Sequence, residues 1–301
     1  MRTTFAIFVL IFTLKTQATE IDDTTSYYEA IPDSEAILNA KTQELIDDVL
    51  KTYPGCKIKP FAKKASKTLT GSLFYGSIES QANNLKDVAR ISLKVSQSIY
   101  KDSPYENSVV GRLFGLGSTI NINGYHIGTD KLGHFLDMGY EYWQMTEDGQ
   151  DLMDIVDKAT SEQQGIWGMW TTGVKSYGDI AANYDGYRFW RDFAGAGDHP
   201  YFVCENNKLK QVRAFKWSDY VTAAWVEAIN CSSYWSNDYD FYVAKNIHEL
   251  EVKAKRRYTC PIKPEACDDL RVQYSQWLGP YELPKVISPD CRLKGPVDWL
   301  N

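Results

Sequence analysis

The stretch from Gly128 to Trp143, GTDKLGHFLDMGYEYW, combines titratable and aromatic residues at helical spacing. His134, Asp137 and Glu141 are three and four residues apart, which places them on one side of a helix. We call these three residues the polar stripe. The other positions are mostly apolar or aromatic, as a helix that packs against a core requires. Such a helix either lines a wet cleft with its polar stripe or encloses a buried polar network.

The flanking sequence predicts a mainly α protein with one small β hairpin. The Gly- and β-branched-rich segment 111–128 contains Asn123-Gly124, a tight-turn signal that favours a hairpin. Ser176 and Asp179 fit a capping box, which predicts a helix that runs to Phe193. Apolar spacing and helix boundaries predict further helices over 34–50, 78–101, 150–163, 217–231 and 238–257.

The ends of the chain have their own character. Arg2, an apolar run from Phe5 to Leu14 and small residues up to Ala18 predict a cleaved signal peptide over 1–18, because the run is too short to span a bilayer. We therefore expect a secreted or periplasmic protein that leaves the membrane after cleavage. The predicted division is a polar leader and helix over 19–69, a catalytic domain over 70–257, and a Cys- and Pro-rich irregular tail over 258–301.

Composition narrows the class of partner. The formal net charge is −6, and no basic stripe interrupts it, so nucleic acid is excluded as a predicted partner. An acidic protein suits a neutral or cationic substrate better. We expect a monomer.

Six cysteines in an exported chain predict three disulfides. No CxxC pair occurs, which argues against a zinc ribbon. Six thiols allow fifteen pairings. We predict two local loops and one bridge between the ends, as Cys260–Cys267, Cys204–Cys231 and Cys56–Cys291.

Three hypotheses compete for the polar stripe. The first is a structural network that fixes helix packing. The second is a metal site formed by His126, Asp130, His134 and Glu141; since this spacing is not a zinc pattern, we predict no metal and no other cofactor. The third is a glycosidase acid. Burial among Tyr140, Tyr142 and Trp143 would disfavour the ionised form of Glu141, raise its pKa and let it donate a proton to a glycosidic oxygen.

A family resemblance favours the third hypothesis. The blocks GTDKLGHFLDMGYEYW and TTGVKSYGDIAANYDGYRFW resemble the lysozymes of predatory and some intracellular bacteria that prefer deacetylated peptidoglycan. The likeness covers roughly residues 70–250 and depends mainly on these two blocks. It implies a lysozyme-like helical domain in which Glu141 is the catalytic acid.

The second block supplies candidate partners for Glu141. Ser176, Tyr177, Asp179 and Asn183 stand at the start of the predicted helix and could orient a water or bind sugar hydroxyls. Ordinary helix capping is the alternative for Ser176 and Asp179. His134 and Asp137 are candidates for substrate binding or support.

The prediction is an exported muramidase that cleaves peptidoglycan glycan strands, with a preference for deacetylated, glucosamine-containing wall. A second carboxylate is needed for either stereochemical outcome. Asp137 is on the same helix as Glu141 and cannot stand across a substrate from it, whereas Asp179 or Asp185 could. A single-acid mechanism, with water positioned by polar side chains or with assistance from the substrate, stays open, and the second group is not identified. Two alternatives stay open: a non-catalytic wall- or partner-binding protein, and a metal-dependent peptidoglycan amidase or deacetylase.

Overall fold

A computed structural model describes residues 19–71, 77–164 and 172–291. The predicted signal peptide lies outside these residues. The described chain is mainly helical with small antiparallel sheets, as the sequence predicts. Within these three ranges, every helix is too short or too polar to cross a membrane.

The helices and strands follow one another in a chain of short elements. The α-helices are Glu35–Thr52 (α1), Ile58–Leu69 (α2), Ile78–Asn84 (α3), Pro104–Asn107 (α4), Val109–Phe114 (α5), Asp130–Gly133 (α6), Gly139–Glu147 (α7), Leu152–Gln164 (α8), Tyr177–Phe193 (α9), Asn237–Ala254 (α10), Pro264–Tyr274 (α11) and Leu283–Val286 (α12). The strands are Arg90–Ile91 (β1), Thr119–Ile122 (β2), Tyr125–Gly128 (β3), Val174–Lys175 (β4), Phe202–Glu205 (β5), Lys208–Gln211 (β6) and Ser233–Tyr234 (β7).

Several predicted elements are confirmed. Helices α1, α8 and α10 match the predictions over 34–50, 150–163 and 238–257. Strands β2 and β3 form the predicted hairpin around Asn123-Gly124, with Ile120 opposite Ile127. Ser176 caps α9 by accepting a hydrogen bond from the Asp179 amide, and α9 ends at Phe193 as predicted. The helix α2 was not predicted.

Two predicted helices are wrong, because side chains form hydrogen bonds with backbone groups that each helix would have used itself. The helix predicted over 78–101 ends at Asn84, where Arg90 donates to the carbonyl oxygens of Ala82, Leu85 and Val88. The segment 217–231 holds two short 3₁₀ turns, Trp217–Asp219 and Ala223–Trp225. Asp23 accepts the amides of Glu227 and Ala228, which a continuous helix would have used itself.

The stretch from Asp130 to Glu147 is one helical run with a change of winding in its middle. Residues His134–Met138 form a π-helical turn in which the Gly139 amide donates to the His134 carbonyl, five residues back. This run crosses α9 at Gly139 and Gly186, where a Cβ on either residue would collide with the opposite backbone. Two glycines therefore let the two helices approach closely enough for His134 to contact side chains of α9.

The segment after the predicted cleavage site is not a loose leader. Glu20, Ile21, Asp22 and Asp23 are buried. Asp22 accepts the amide of Ile99 at 2.9 Å, and Asp23 accepts the amides of residues 227 and 228. The acidic residues that suggested a solvated leader instead bind backbone amides of distant segments.

The cysteine pairing differs from the prediction, although no cysteine is free. The bridges are Cys56–Cys204, Cys231–Cys260 and Cys267–Cys291. Pro264 begins α11, which buries Cys267, and this helix pairs Cys267 with Cys291 although the sulfurs of Cys260 and Cys267 both lie 3.7 Å from the Ile229 carbonyl oxygen. The tail also contains α11 and α12 and is less irregular than predicted.

Candidate functional site

Lys131 is at the centre of a buried charge cluster. Its side chain is fully buried, and its Nζ lies 3.1 Å from Asp130 Oδ2, 2.6 Å from Asp179 Oδ1 and 2.7 Å from Glu227 Oε1. These carboxylates come from α6, α9 and the loop after the second 3₁₀ turn. A buried ammonium is tolerated only when it is paired and hydrogen-bonded, and three carboxylates meet that requirement.

Glu227 is held in place by groups from three other segments. Its Oε1 accepts from Ser176 Oγ at 2.7 Å, and its Oε2 accepts from Ser232 Oγ at 3.0 Å. Its backbone amide donates to Asp23. Ser176 thus combines the predicted capping role with a contact to the charge cluster, and both serine hydroxyls compensate for the desolvation of the carboxylate.

The cluster contains more acidic groups than cations. The pKa is therefore raised for some of its carboxyl groups and lowered only for Asp179. Burial would raise the pKa of Asp179, but His134, Lys131 and hydrogen bonds hold it below its ordinary value. Burial raises the pKa of Asp130 to about 6 despite Lys131. Burial, with Glu227 and Asp179 nearby, raises the pKa of Glu20 well above its ordinary value. The three carboxylates overcome the desolvation of Lys131 and raise its pKa.

His134 connects this cluster to α9. Its Nε2 lies 3.3 Å from Asp179 Oδ2, and its Nδ1 lies 3.0 Å from the Asn183 amide. We orient that amide with its nitrogen toward His134, because its oxygen would otherwise face the carbonyl oxygens of residues 134 and 179. Nδ1 then accepts a hydrogen bond, and Nε2 faces Asp179 without hydrogen-bond geometry. Asn183 and Asp179 hold the ring between them, so His134 serves as a support.

Two residues of the polar stripe line one cavity, and one of them also contacts the buried cluster. His134 and Asp137 both line a cavity of about 140 Å³. The ring of His134 also contacts Asp179 of α9. The sequence posed a wet cleft and a buried network as alternatives, and the structure combines both.

The cavity lies between the end of α2, the start of α3 and the π turn. Its polar lining comprises Thr70, Ser77, Glu79, Asp130, His134 and Asp137, and its apolar lining includes Leu69, Leu132, Leu136 and Met138. Burial, with Asp130 and Asp137 nearby, raises the pKa of Glu79 to about 7 against the opposing effect of His134 and Lys131. A carboxyl group that exchanges its proton near neutrality inside a polar cavity is a functional-site candidate.

Glu141 is on α7, four residues beyond Asp137, and is partly buried. Four residues make about one α-helical turn, so the two side chains project from similar sides of the run. The neighbouring Tyr140, Tyr142 and Trp143 are buried in the core. They hold α7 against the protein, and Glu141 is not among the residues that line the cavity.

Of the predicted partners, Ser176, Asp179 and Asn183 come together with His134, and Tyr177 does not join them. Tyr177 is buried, and the Lys175 ammonium lies 4.6 Å from its ring centroid. Asp185 is also excluded from the cavity: its Oδ2 accepts from Trp225 Nε1 at 2.9 Å and from the Tyr274 hydroxyl at 2.5 Å. Asp185 is therefore a structural carboxylate of the core, which does not favour it as a second catalytic group.

A metal could be considered where Asp130, His134 and Asp179 each bring a ligand atom within 4.8 Å of the others. The Lys131 ammonium contacts both of these carboxylates. The place between them is thus taken by a resident cation that a metal ion would have to displace. His126 and Glu141, the other ligands considered from the sequence, are not in this group.

Sequence reasoning missed Lys131, Glu227 and Glu79. Lys131 stands in a block whose other positions are largely apolar, a signal that an ammonium is buried. Glu227 lies in the apolar run AAWVEAI, which carries the same signal. Glu79 follows the N-cap Ser77 by two residues and reads as an ordinary first-turn acid, so nothing local marks it.

Comparison with known proteins finds no match for the two sequence blocks. The resemblance of these blocks to deacetylation-specific lysozymes stays a prediction. No protein-family model, no curated protein and no solved structure matches the chain.

Proposed function

We propose that the protein is an exported glycoside hydrolase that cleaves peptidoglycan glycan strands, with Glu141 as the general acid. The observation that carries this proposal is the polar cavity beside the helical run, which brings the titratable groups of Glu79, His134 and Asp137 to one place. Glycoside hydrolysis needs a proton donor and a second acid–base group around one bond. Three disulfides fit an exported protein.

In this proposal the buried cluster supports the catalytic machinery. Lys131, Asp179 and Asn183 fix His134, and His134 fixes the start of the π turn that displays Asp137. Substrate-binding roles for Ser176 and Tyr177 are not favoured, because both are buried against protein groups.

The proposed substrate is wall in which amino sugars are deacetylated. Each free glucosamine carries an ammonium, and the cavity presents Asp130, Asp137 and Glu79 in a protein of net charge −6. Exposed charge pairs contribute only about 0–1 kcal/mol each, so the preference depends on several acidic groups acting together. Added salt is expected to slow cleavage of deacetylated wall more than cleavage of acetylated wall.

The test compares sacculi from one source, half of them treated with a deacetylase, with a chelator present or absent. We expect release of reducing sugar, faster from the deacetylated half. Glu141→Gln should lose at least about a hundredfold in rate, the usual scale for removing a general acid. Glu44→Gln, which changes an exposed glutamate of α1, is the matched control.

Three outcomes contradict the proposal in different ways. Binding to sacculi without release of sugar supports a non-catalytic wall protein. Release of peptide or acetate that stops with chelator and returns with zinc supports an amidase or deacetylase. Wild-type activity in a folded Glu141→Gln protein removes Glu141 from the role of acid.

A further inference from the structure

We propose that Glu79 is the general base of the hydrolysis, the group that takes a proton from the water that attacks the sugar. This inference rests on the proposed function, and it supplies the second carboxyl group that the sequence did not identify. Glu79 lines the same cavity as Asp137 and His134 but comes from a different element, α3. A base on a separate helix can face a substrate held against the helical run, which Asp137 on that run cannot do opposite Glu141.

The position of the Glu79 carboxyl is fixed by close packing. Its Oε2 rests against Gly133, where a Cβ would overlap it. Ser77 accepts a hydrogen bond from the Ser80 amide and so fixes the first turn of α3, which carries Glu79. General base catalysis requires first that the carboxyl group is correctly positioned, and then that its pKa is suitable.

The surroundings of Glu79 keep its proton exchangeable near neutral pH. The charged or titratable groups that face it are Asp130, Lys131, His134 and Asp137. The buried side of α1, which also contacts α3, carries no charged residue. Burial and the two aspartates raise the pKa of Glu79 to about 7, although His134 and Lys131 oppose them. A base is most effective when its pKa lies close to the working pH.

The cavity also has room for the nucleophile. Its volume of about 140 Å³ accommodates several water molecules, since each needs at least about 10–15 Å³. The hydroxyls of Thr70 and Ser77 and the carboxylate of Asp137 provide the polar partners that ordered water needs.

The chemistry of the step predicts its stereochemical outcome. Water that a base activates attacks the anomeric carbon from the side opposite the leaving oxygen, so a single displacement inverts the configuration.

The step is a single displacement. The water oxygen forms a bond to the anomeric carbon while one of its protons passes to the Glu79 carboxylate. The bond from that carbon to the leaving oxygen breaks, and Glu141 gives its proton to the leaving oxygen. Glu79 ends protonated and Glu141 ionised, and exchange of one proton each with solvent restores both.

The first experiment follows the anomeric configuration of the product by proton NMR, with wild-type protein and a deacetylated wall oligosaccharide. We expect inversion at a pH where Glu79 is ionised, because Glu79 must lose its proton to act as the base. Retention of configuration would overturn the assignment, because it requires a covalent glycosyl-enzyme intermediate in place of direct attack by water. This measurement needs no variant and is independent of how well a variant folds.

The second experiment uses Glu79→Gln, with the exposed Glu249→Gln as its matched control. We expect Glu79→Gln to lose at least about a hundredfold in rate, and added azide to restore turnover as an inverted glycosyl azide, since azide attacks without a base. Glu79→Asp should retain part of the activity. A folded Glu79→Gln protein with wild-type rate would sink the base assignment alone, whereas a wild-type protein that releases no sugar would sink the proposed function and this inference together.

Discussion

The ammonium of Lys131 and the carboxylate of Glu227 meet at 2.7 Å across 96 positions of sequence. Neither group is exposed: Lys131 is fully buried and Glu227 nearly so. Such a buried pair stabilises the fold only while both partners are present, because removing one partner leaves the other charge buried and unpaired.

Lys131→Met should therefore be strongly destabilising. The substitution keeps much of the side-chain volume but leaves Asp130, Asp179 and Glu227 without their shared cation. We expect the free energy of unfolding to fall by about 3–5 kcal/mol, measured by urea denaturation. Lys41→Met removes the exposed pair with Glu44 and should cost at most about 1 kcal/mol. A similar loss of unfolding free energy in both variants would show that the buried cluster stabilises the fold no more than the exposed pair does.

Asp23→Ala tests the structural role of the segment that looked like a leader. The change leaves the amides of Glu227 and Ala228 buried without an acceptor, at about 1–3 kcal/mol for each unsatisfied group. Chemical denaturation should show this loss, while Asp87→Ala, at an exposed aspartate, should lie within about 0.5 kcal/mol of wild type. Unchanged stability in Asp23→Ala would mean that residues 20–26 are not anchored as the structure shows.

The raised pKa of Glu79 predicts a pH-dependent effect of Glu79→Gln on stability. The folded protein holds the proton up to about pH 7, whereas the unfolded chain releases it near the ordinary value of 4.5. Between these pH values the folded state binds more protons, so wild-type stability falls as pH rises through this window. Glutamine cannot ionise, so the variant does not lose stability in this way as pH rises. The free energy of unfolding of the variant, relative to wild type, should be higher at pH 8 than at pH 5; a difference independent of pH would contradict the assigned pKa.

Chelation should leave activity unchanged. The Lys131 ammonium already contacts the two carboxylates that would otherwise hold a metal ion. Dialysis against a strong chelator, followed by the sugar-release assay and elemental analysis, checks this. Loss of activity that zinc restores would show that a metal displaces the ammonium or binds elsewhere.

Sequence patterns predicted local features better than distant ones. The cap at Ser176 and the turn at Asn123-Gly124 depend on neighbouring residues, and both are present. Whether Asp23 faces solvent or binds residues 227 and 228 depends on a contact across the chain, which periodicity cannot reveal. The cysteine pairing failed for the same reason, since Cys56 meets Cys204 only after the fold brings them together.

The same distinction holds within the candidate site. His134 and Asp137 were found because they recur at helical spacing in one block. Glu79 could not be found, because its role follows from the contact of α3 with Gly133. The π turn over His134–Met138 was also invisible in the sequence, whose spacing predicted a regular α-helix.

The attachment of Asp23 to Glu227 and Ala228 sets an order of assembly during synthesis. The two sides of this contact are separated by 204 and 205 residues, so Asp23 is made long before its partners. Closing so long a loop carries an entropic cost before any contact repays it, which slows folding. The charge cluster around Lys131 is consequently a late-forming feature, because it cannot be completed until Glu227 has been added to the chain.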